Sequence, residues 1–305
     1  MNNALQISVV ICTYNRAAYI MEAMESLYAQ TLDRRAFEVI IVNNNSTDNT
    51  KDICAGFIRS HSDAFFCYYD EPRQGASFAR NTGAAYAQSP LLCFMDDDAI
   101  ADKDYLERIV AFFEKHPDAG GLGGRIIPRY IPREPDWMSH FVSSLVGNFD
   151  YSASVAVFSA NKYPLESNMV IRKKDFDTIS GFNTALPGVV GTLRIGGEGK
   201  DFFYRLKSLG RTIYYDPDIR VQHTIETAKL TREYMYRVAS GIGRGERVRM
   251  KEKGILAFYQ KLAEYVFKLG ASVILGITYI MQGSPAKAMP VIRFRIDALK
   301  GLLNH

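Results

Sequence analysis

The chain has 305 residues, of which 47 % are hydrophobic and 23 % charged, a balance that excludes a disordered chain and supplies a sizeable core. The net charge of +4 is too small to point to nucleic acid, which is not expected as a partner. Its positive excess is concentrated from Lys229 onward and the remainder is mildly acidic. That asymmetry suggests an anionic partner for the last quarter.

Residues 7–12 (ISVVIC) form a run rich in β-branched residues and predict a buried strand. The turn TYNR follows, then AYIMEAMESLYAQ with apolar residues at helical spacing. FEVIIV (37–42) predicts a second buried strand, closed by the polar loop NNNSTDN. A helix is expected over 50–60, a third strand over 64–69 and, after DEPRQGAS, a helix over 77–87. LLCFM (91–95) predicts the fourth strand. This alternation argues a parallel sheet with helices on both faces. Ligands of such sheets bind beyond the carboxyl ends of the strands, where TYN, NNNSTD, DEPRQG and DDD all fall. A helix is expected over 102–116. GGLGG and the Pro-rich stretch 128–135 then mark a boundary near 120. Residues 150–172 read as strand, 200–209 as a helix ended by Gly210, and RTIYYDPDIRVQH as strand again. The expected division is 1–120, 121–228 and 229–305.

Residues 271–281 (ASVILGITYIM) are uncharged, with Glu264 and Lys268 just upstream, a run shorter than the roughly 20 residues that span a bilayer. It fits a buried helix or an interfacial one, with a re-entrant or spanning helix as the remaining reading and a solvated helical hairpin packed on the preceding domain as the plain alternative. The basic segments beside it suit an anionic membrane surface. Cys12, Cys54, Cys67 and Cys93 show no C-x-x-C spacing, so free thiols in a reducing compartment are expected. The opening residues show no signal-peptide pattern, so a cytoplasmic active region is expected, and the basic, apolar C-terminal part suggests a peripheral place at the inner face of the cell membrane.

The fourth strand runs directly into Asp96, Asp97 and Asp98. Alternation along an extended chain would turn Asp96 and Asp98 to one side and Asp97 away. Neighbouring carboxylates repel, and a hard divalent cation relieves that repulsion while keeping positions open for phosphate oxygens.

These stretches together resemble the family-2 inverting glycosyltransferases, which have the A-type glycosyltransferase fold, a Rossmann-like α/β architecture with a mostly parallel sheet; here it would carry a helical C-terminal extension. The resemblance is carried by SVVICTYNR (8–16), EVIIVNNNSTDNT (38–50), RQGASFARNTG (73–83), FMDDDA (94–99), GGEGKDFFYRL (196–206) and YDPDIRVQH (215–223), in the family's order and covering roughly 7–225. It implies a metal-dependent, inverting transfer of sugar from a nucleotide-diphosphate donor (UDP-, dTDP- or GDP-linked) to a hydroxyl of a saccharide or lipid-linked saccharide, in surface polysaccharide or glycolipid assembly. By the same resemblance Thr13, Tyr14, Asn15 and Arg16 cradle the base, with the Tyr14 ring as a stacking face. Asn43 stands where the family has an Asp, and an amide oxygen can still accept from the base. Asn45 and Gly75 line the same site, while Ser46 is expected to cap the following helix. Arg80 faces the acids or the diphosphate. Asp96, with Asp97 beside it, faces the donor, and Asp98 and His223 hold Mn²⁺ or Mg²⁺.

Inversion needs a base for the acceptor hydroxyl. The family places an Asp after the Glu of G-E-D, and here that position is Gly199. Glu198 leads as base and Asp201 follows, although Asp201 also suits a helix cap. Two rivals remain: a nucleotidyltransferase, and a non-catalytic nucleotide-sugar-binding protein of the same fold. The loop TYNRAAY after the first strand has no glycine to hold a triphosphate, which weighs against the first. The glycine at 199 keeps the second open.

Overall fold

The computed structural model describes residues 5–304. In chain order its strands and helices begin with β1 (Ile7–Thr13), α1 (Ile20–Tyr28), β2 (Phe37–Asn43), α2 (Thr50–Ser60), β3 (Phe66–Asp70), α3 (Ala76–Tyr86) and β4 (Leu91–Asp96). They continue with β5 (Ala99–Ala101), α4 (Tyr105–Lys115), β6 (Ala119–Tyr130), α5 (His140–Ser143), β7 (Ala156–Val157), β8 (Asn168–Arg172) and α6 (Lys173–Thr178). The remainder is β9 (Gly188–Val190), β10 (Leu193–Ile195), α7 (Glu198–Ser208), β11 (Thr212–Ile225), α8 (Arg232–Lys253), α9 (Ile255–Met281) and α10 (Ala288–Leu303).

The main sheet has nine strands in the order β3-β2-β1-β4-β8-β6-β11-β5, with β7 added on β11. β1 pairs in parallel with β2 and β4, and β2 with β3. The expected parallel half is therefore present, and antiparallel β8 extends it from β4. Strict alternation sorts the side chains. Ile7, Val9, Ile11, Val39 and Ile41 enter one core with residues of α1, α2 and α4. Val10, Ile40 and Val42 enter the other with residues of α3, α6 and α7. Every residue of β2 is buried, which is why residues 39–42 (VIIV) run apolar without alternation, while the buried Glu38 accepts from the Ser8 hydroxyl.

The chain forms two compact units. One comprises Met1–Ile127, Phe149–Thr184 and Gly199–His223; the other comprises Pro128–Asn148, Ala185–Glu198 and Thr224–His305. The stretch 121–228 thus contributes to both. In the second unit α8 packs on β10 and α10. Met138, Val142, Val146, Ile225 and Val291 form its buried cluster, with Trp137 packed against them. Trp137 is thus part of a core.

α9 is longer than its uncharged stretch suggested. Glu264 accepts from both Lys261 and Lys268 within the helix, so the charges that interrupt the apolar run pair with one another. At 27 residues α9 is long and apolar enough to cross a membrane by length and composition. Phe267 is 77 % exposed and Ile274 69 %.

Candidate active site

The strand register assembles the first half of the site. Thr13 pairs with Asn43, Asn43 with Asp70, and Cys12 with Asp96. The four parallel strands therefore end in line, and their polar loops converge at one edge as the sequence pattern predicted.

Hydrogen bonds lace these loops together. The Asn15 N–H donates to Ser46 Oγ at 2.9 Å, and Asn15 Oδ1 accepts from the Thr47 N–H at 2.7 Å. Asn15 and Asn45 sit at positive φ, 54° and 66°, a conformation Asn tolerates better than most residues. Asn45 Nδ2 donates to the Pro72 carbonyl. Asn44 donates to the carbonyls of Glu71 and Arg73 and accepts from the Gly75 N–H at 2.6 Å. Ser46 was expected to cap α2, but its hydroxyl is taken by Asn15. The Asp48 carboxylate accepts from the Thr50 N–H and the Ala17 N–H instead. Tyr14 is 36 % exposed, with its ring available as a stacking face.

Asn43 accepts from the Ser46 N–H and donates to Asp70 Oδ1 at 2.8 Å. A carboxylate thus lies beside the amide that replaces one. Sequence reading noted the DEPRQG cluster but did not single out Asp70. Its signal was positional, as the last residue of the third strand.

Asp96 closes β4, and Asp97 and Asp98 make the turn into β5. β5 pairs with β11, with His223 opposite Ala99, and so the fold delivers a histidine from more than a hundred residues away. His223 Nε2 lies 2.8 Å from Asp98 Oδ1 and 3.9 Å from Asp96 Oδ2. Asp96, Asp98 and His223 each offer a ligand atom within 4.8 Å of the others. Two carboxylate oxygens and an imidazole nitrogen suit a divalent ion, so the residues fit the group that the sequence implied, with Asp96 beside the two expected ligands. Arg16 reaches the cluster from the loop after β1, 3.6 Å from Asp97 and 3.5 Å from Asp98. Burial pushes the Asp97 carboxyl up to about 7, with the Asp98 charge adding to it and Arg16 opposing. Arg80, buried on α3, lies over the Phe182 ring. Its charge opposes the burial that pushes the Cys12 thiol up to about 12.

Glu198 is the first residue of α7 and is buried, in the second compact unit; Gly199 begins the next segment of the first. The Gly199 N–H donates to Glu166 Oε1 at 2.7 Å. Asp201 pairs with Arg205 one helical turn on, at 2.8 Å. Sequence reading did not single out Glu166, because nothing local marks it and its neighbour in space is 33 positions away.

Residues 8–182 match the family model described as glycosyl transferase family 2. The chain belongs to that family. This family-2 member is 25 % identical over 224 residues to a glucosyl-dolichyl phosphate glucuronosyltransferase of Haloferax volcanii, covering 72 % of this chain and 70 % of that one. It is 35 % identical over 236 residues to a validoxylamine A glucosyltransferase of Streptomyces hygroscopicus, covering 67 % of this chain. It spans about half of that relative's length, 52 %. Among solved structures, a mannosyltransferase of Pyrobaculum calidifontis in complex with GDP-Man and Mn²⁺ aligns over 98 % of this chain and 87 % of its own, with TM-score 0.66 at 18 % identity. That likeness is one of fold, the A-type glycosyltransferase fold. The family-2 chain is a glycosyltransferase, as its motifs implied.

Proposed function

We propose that this glycosyltransferase is metal-dependent and inverting, and moves a sugar from a nucleotide-diphosphate donor to a hydroxyl of a saccharide or lipid-linked saccharide in surface polysaccharide or glycolipid assembly. The observation that carries the reading is the convergence of Asp96, Asp98 and His223, with Arg16 beside them, at the carboxyl edge of the parallel strands. The donor's base would lie on Tyr14, among Thr13, Asn15, Asn43, Asn45 and Gly75. Asp96 and Asp97 face the donor sugar. A divalent ion held by Asp98, His223 and Asp96 would supply positive charge for the departing diphosphate. Arg16 and Arg80 add fixed cations toward the same oxygens. The attacking hydroxyl would give up its proton to a carboxylate at or beside the first turn of α7. Glu198 is the candidate from the sequence. Asp201 is engaged by Arg205, which suits a helix-stabilising role. Residues 121–228 would shape the acceptor side, and α9 with its basic neighbours would hold the enzyme at the cytoplasmic face of an anionic membrane.

A thermal-shift panel of UDP, dTDP and GDP with and without Mn²⁺ tests this reading. One diphosphate should raise the Tm only with the metal, and D98A should abolish that shift. Metal-dependent binding unchanged in D98A would remove Asp98 from the ion's ligands.

A further inference from the structure

Position 199 is a glycine, and the space a side chain would take there is already filled by an acid. A Cβ built on Gly199 would lie 2.1 Å from Glu166 Oε1, 2.5 Å from its Cδ and 3.0 Å from its Cγ. The first turn of α7 therefore does carry a carboxylate beside position 199, supplied from another part of the chain.

Three observations support a chemical role for that carboxylate. Glu166 lies two residues ahead of Asn168, and Asn168 pairs with Met95, the residue before Asp96. Glu166 thus stands at the same end of the sheet as the three acids. Its segment is fixed: Asn168 accepts from the Tyr105 hydroxyl at 2.9 Å and donates to the carbonyls of Arg125 and Ile219 at 3.0 Å. Leu165 packs on the core and Pro164 is buried. Glu166 itself is partly exposed, whereas Glu198 is only 6 % exposed. A helix N-terminus favours an ionised carboxylate, the form a base needs.

We propose that Glu166 is the general base of the transfer. As the acceptor oxygen bonds to the anomeric carbon, its proton passes to the Glu166 carboxylate. The bond from that carbon to the phosphate oxygen breaks, and its electron pair leaves with the diphosphate. This inference rests on the inverting transfer proposed above.

The test compares the wild-type chain with E166Q, E198Q, E166G and the exchange E166G/G199D. Release of UDP, dTDP or GDP from UDP-glucose, dTDP-glucose and GDP-mannose with Mn²⁺ gives the rate, and thermal shift with the same diphosphates gives binding. The amide of E166Q still accepts from the Gly199 N–H, so the fold and the diphosphate shift are expected to persist while kcat falls about 100- to 10,000-fold. E198Q should retain more activity than E166Q. The exchange should recover at least about tenfold over E166G, because the carboxylate returns to the same space from the helix side. Should E166Q keep kcat within about threefold of wild type with the shift intact, Glu166 is a helix cap alone and the inference falls, while the transferase reading stands. A wild-type chain showing neither shift nor release overturns both.

Discussion

Glu71 accepts from the Arg73 N–H at 2.8 Å and from its guanidinium at 2.9 and 2.7 Å, and takes the Thr82 hydroxyl as well. Arg73 first, and then Thr82 working against burial, hold its carboxyl down from 4.5 to about 2. A depressed carboxyl stabilises the fold above its ordinary value and loses that contribution as pH falls through the folded one. E71Q is therefore expected to lower the Tm by about 2–4 °C at pH 7, with the gap to wild type closing between about pH 5 and pH 2. Scanning Tm against pH for both proteins checks this, and a gap independent of pH would contradict it. None of this was legible locally. DEPRQG reads as a polar loop, and its charges acquire roles only when Arg73 folds back on Glu71 and Asn44 spans to both carbonyls. Asp96, Asp98 and His223 were legible, since two lie in one motif and the third closes the stretch YDPDIRVQH, near the end of β11. Glu166 was not, because its only mark is what it touches.

Among the elements, the first four strands and the helices between them followed from apolar runs and helical spacing, whereas the 12-residue β6 falls across GGLGG, which reads as a break, and only 156–157 and 168–172 of the expected 150–172 are strand. β1, β2 and β4 lie where the short, mostly apolar runs ISVVIC, FEVIIV and LLCFM predict them, since burial on both faces favours apolar residues on both. β5 escaped notice because three residues, Ala-Ile-Ala, carry no pattern; its pairing with β11 defines it. α8 reads in sequence as a basic segment with scattered glycines, poor for a helix. Its glycines are explained by packing. A Cβ on Gly243 would meet the Ala298 carbonyl at 2.0 Å, and one on Gly301 the Ser240 carbonyl at 1.9 Å. The two helix backbones touch, and backbone atoms cannot swing aside. G243A is expected to cost about 1–3 kcal/mol or more, read as a lower urea midpoint. An unchanged midpoint would mean that α8 and α10 are not held this closely.

For the whole molecule, the outer surface of α9 sets the remaining question. Ile255, Leu256, Phe267, Ile274 and Met281 are each at least 69 % exposed, an apolar patch that marks an interaction surface. If it lies on a membrane, the chain should co-sediment with vesicles containing phosphatidylserine, weakly at high salt because the basic residues act through a screened field. F267D/I274D should reduce the bound fraction several-fold while leaving diphosphate binding unchanged; equal sedimentation of the variant would exclude α9 as the contact. Taken alone, the sequence determined the parallel α/β half, the family and the acid cluster, because those rest on local periodicity and on motifs whose residues lie close in the chain. Only the tertiary structure decided what surrounds them. Strand register brings Asp70 beside Asn43 and His223 beside Asp98, and the close approach of Glu166 to Gly199 supplies an acid where the chain itself has no side chain. These are contacts between residues far apart in sequence, made by the packing of strands and helices, and composition and spacing carry no record of them.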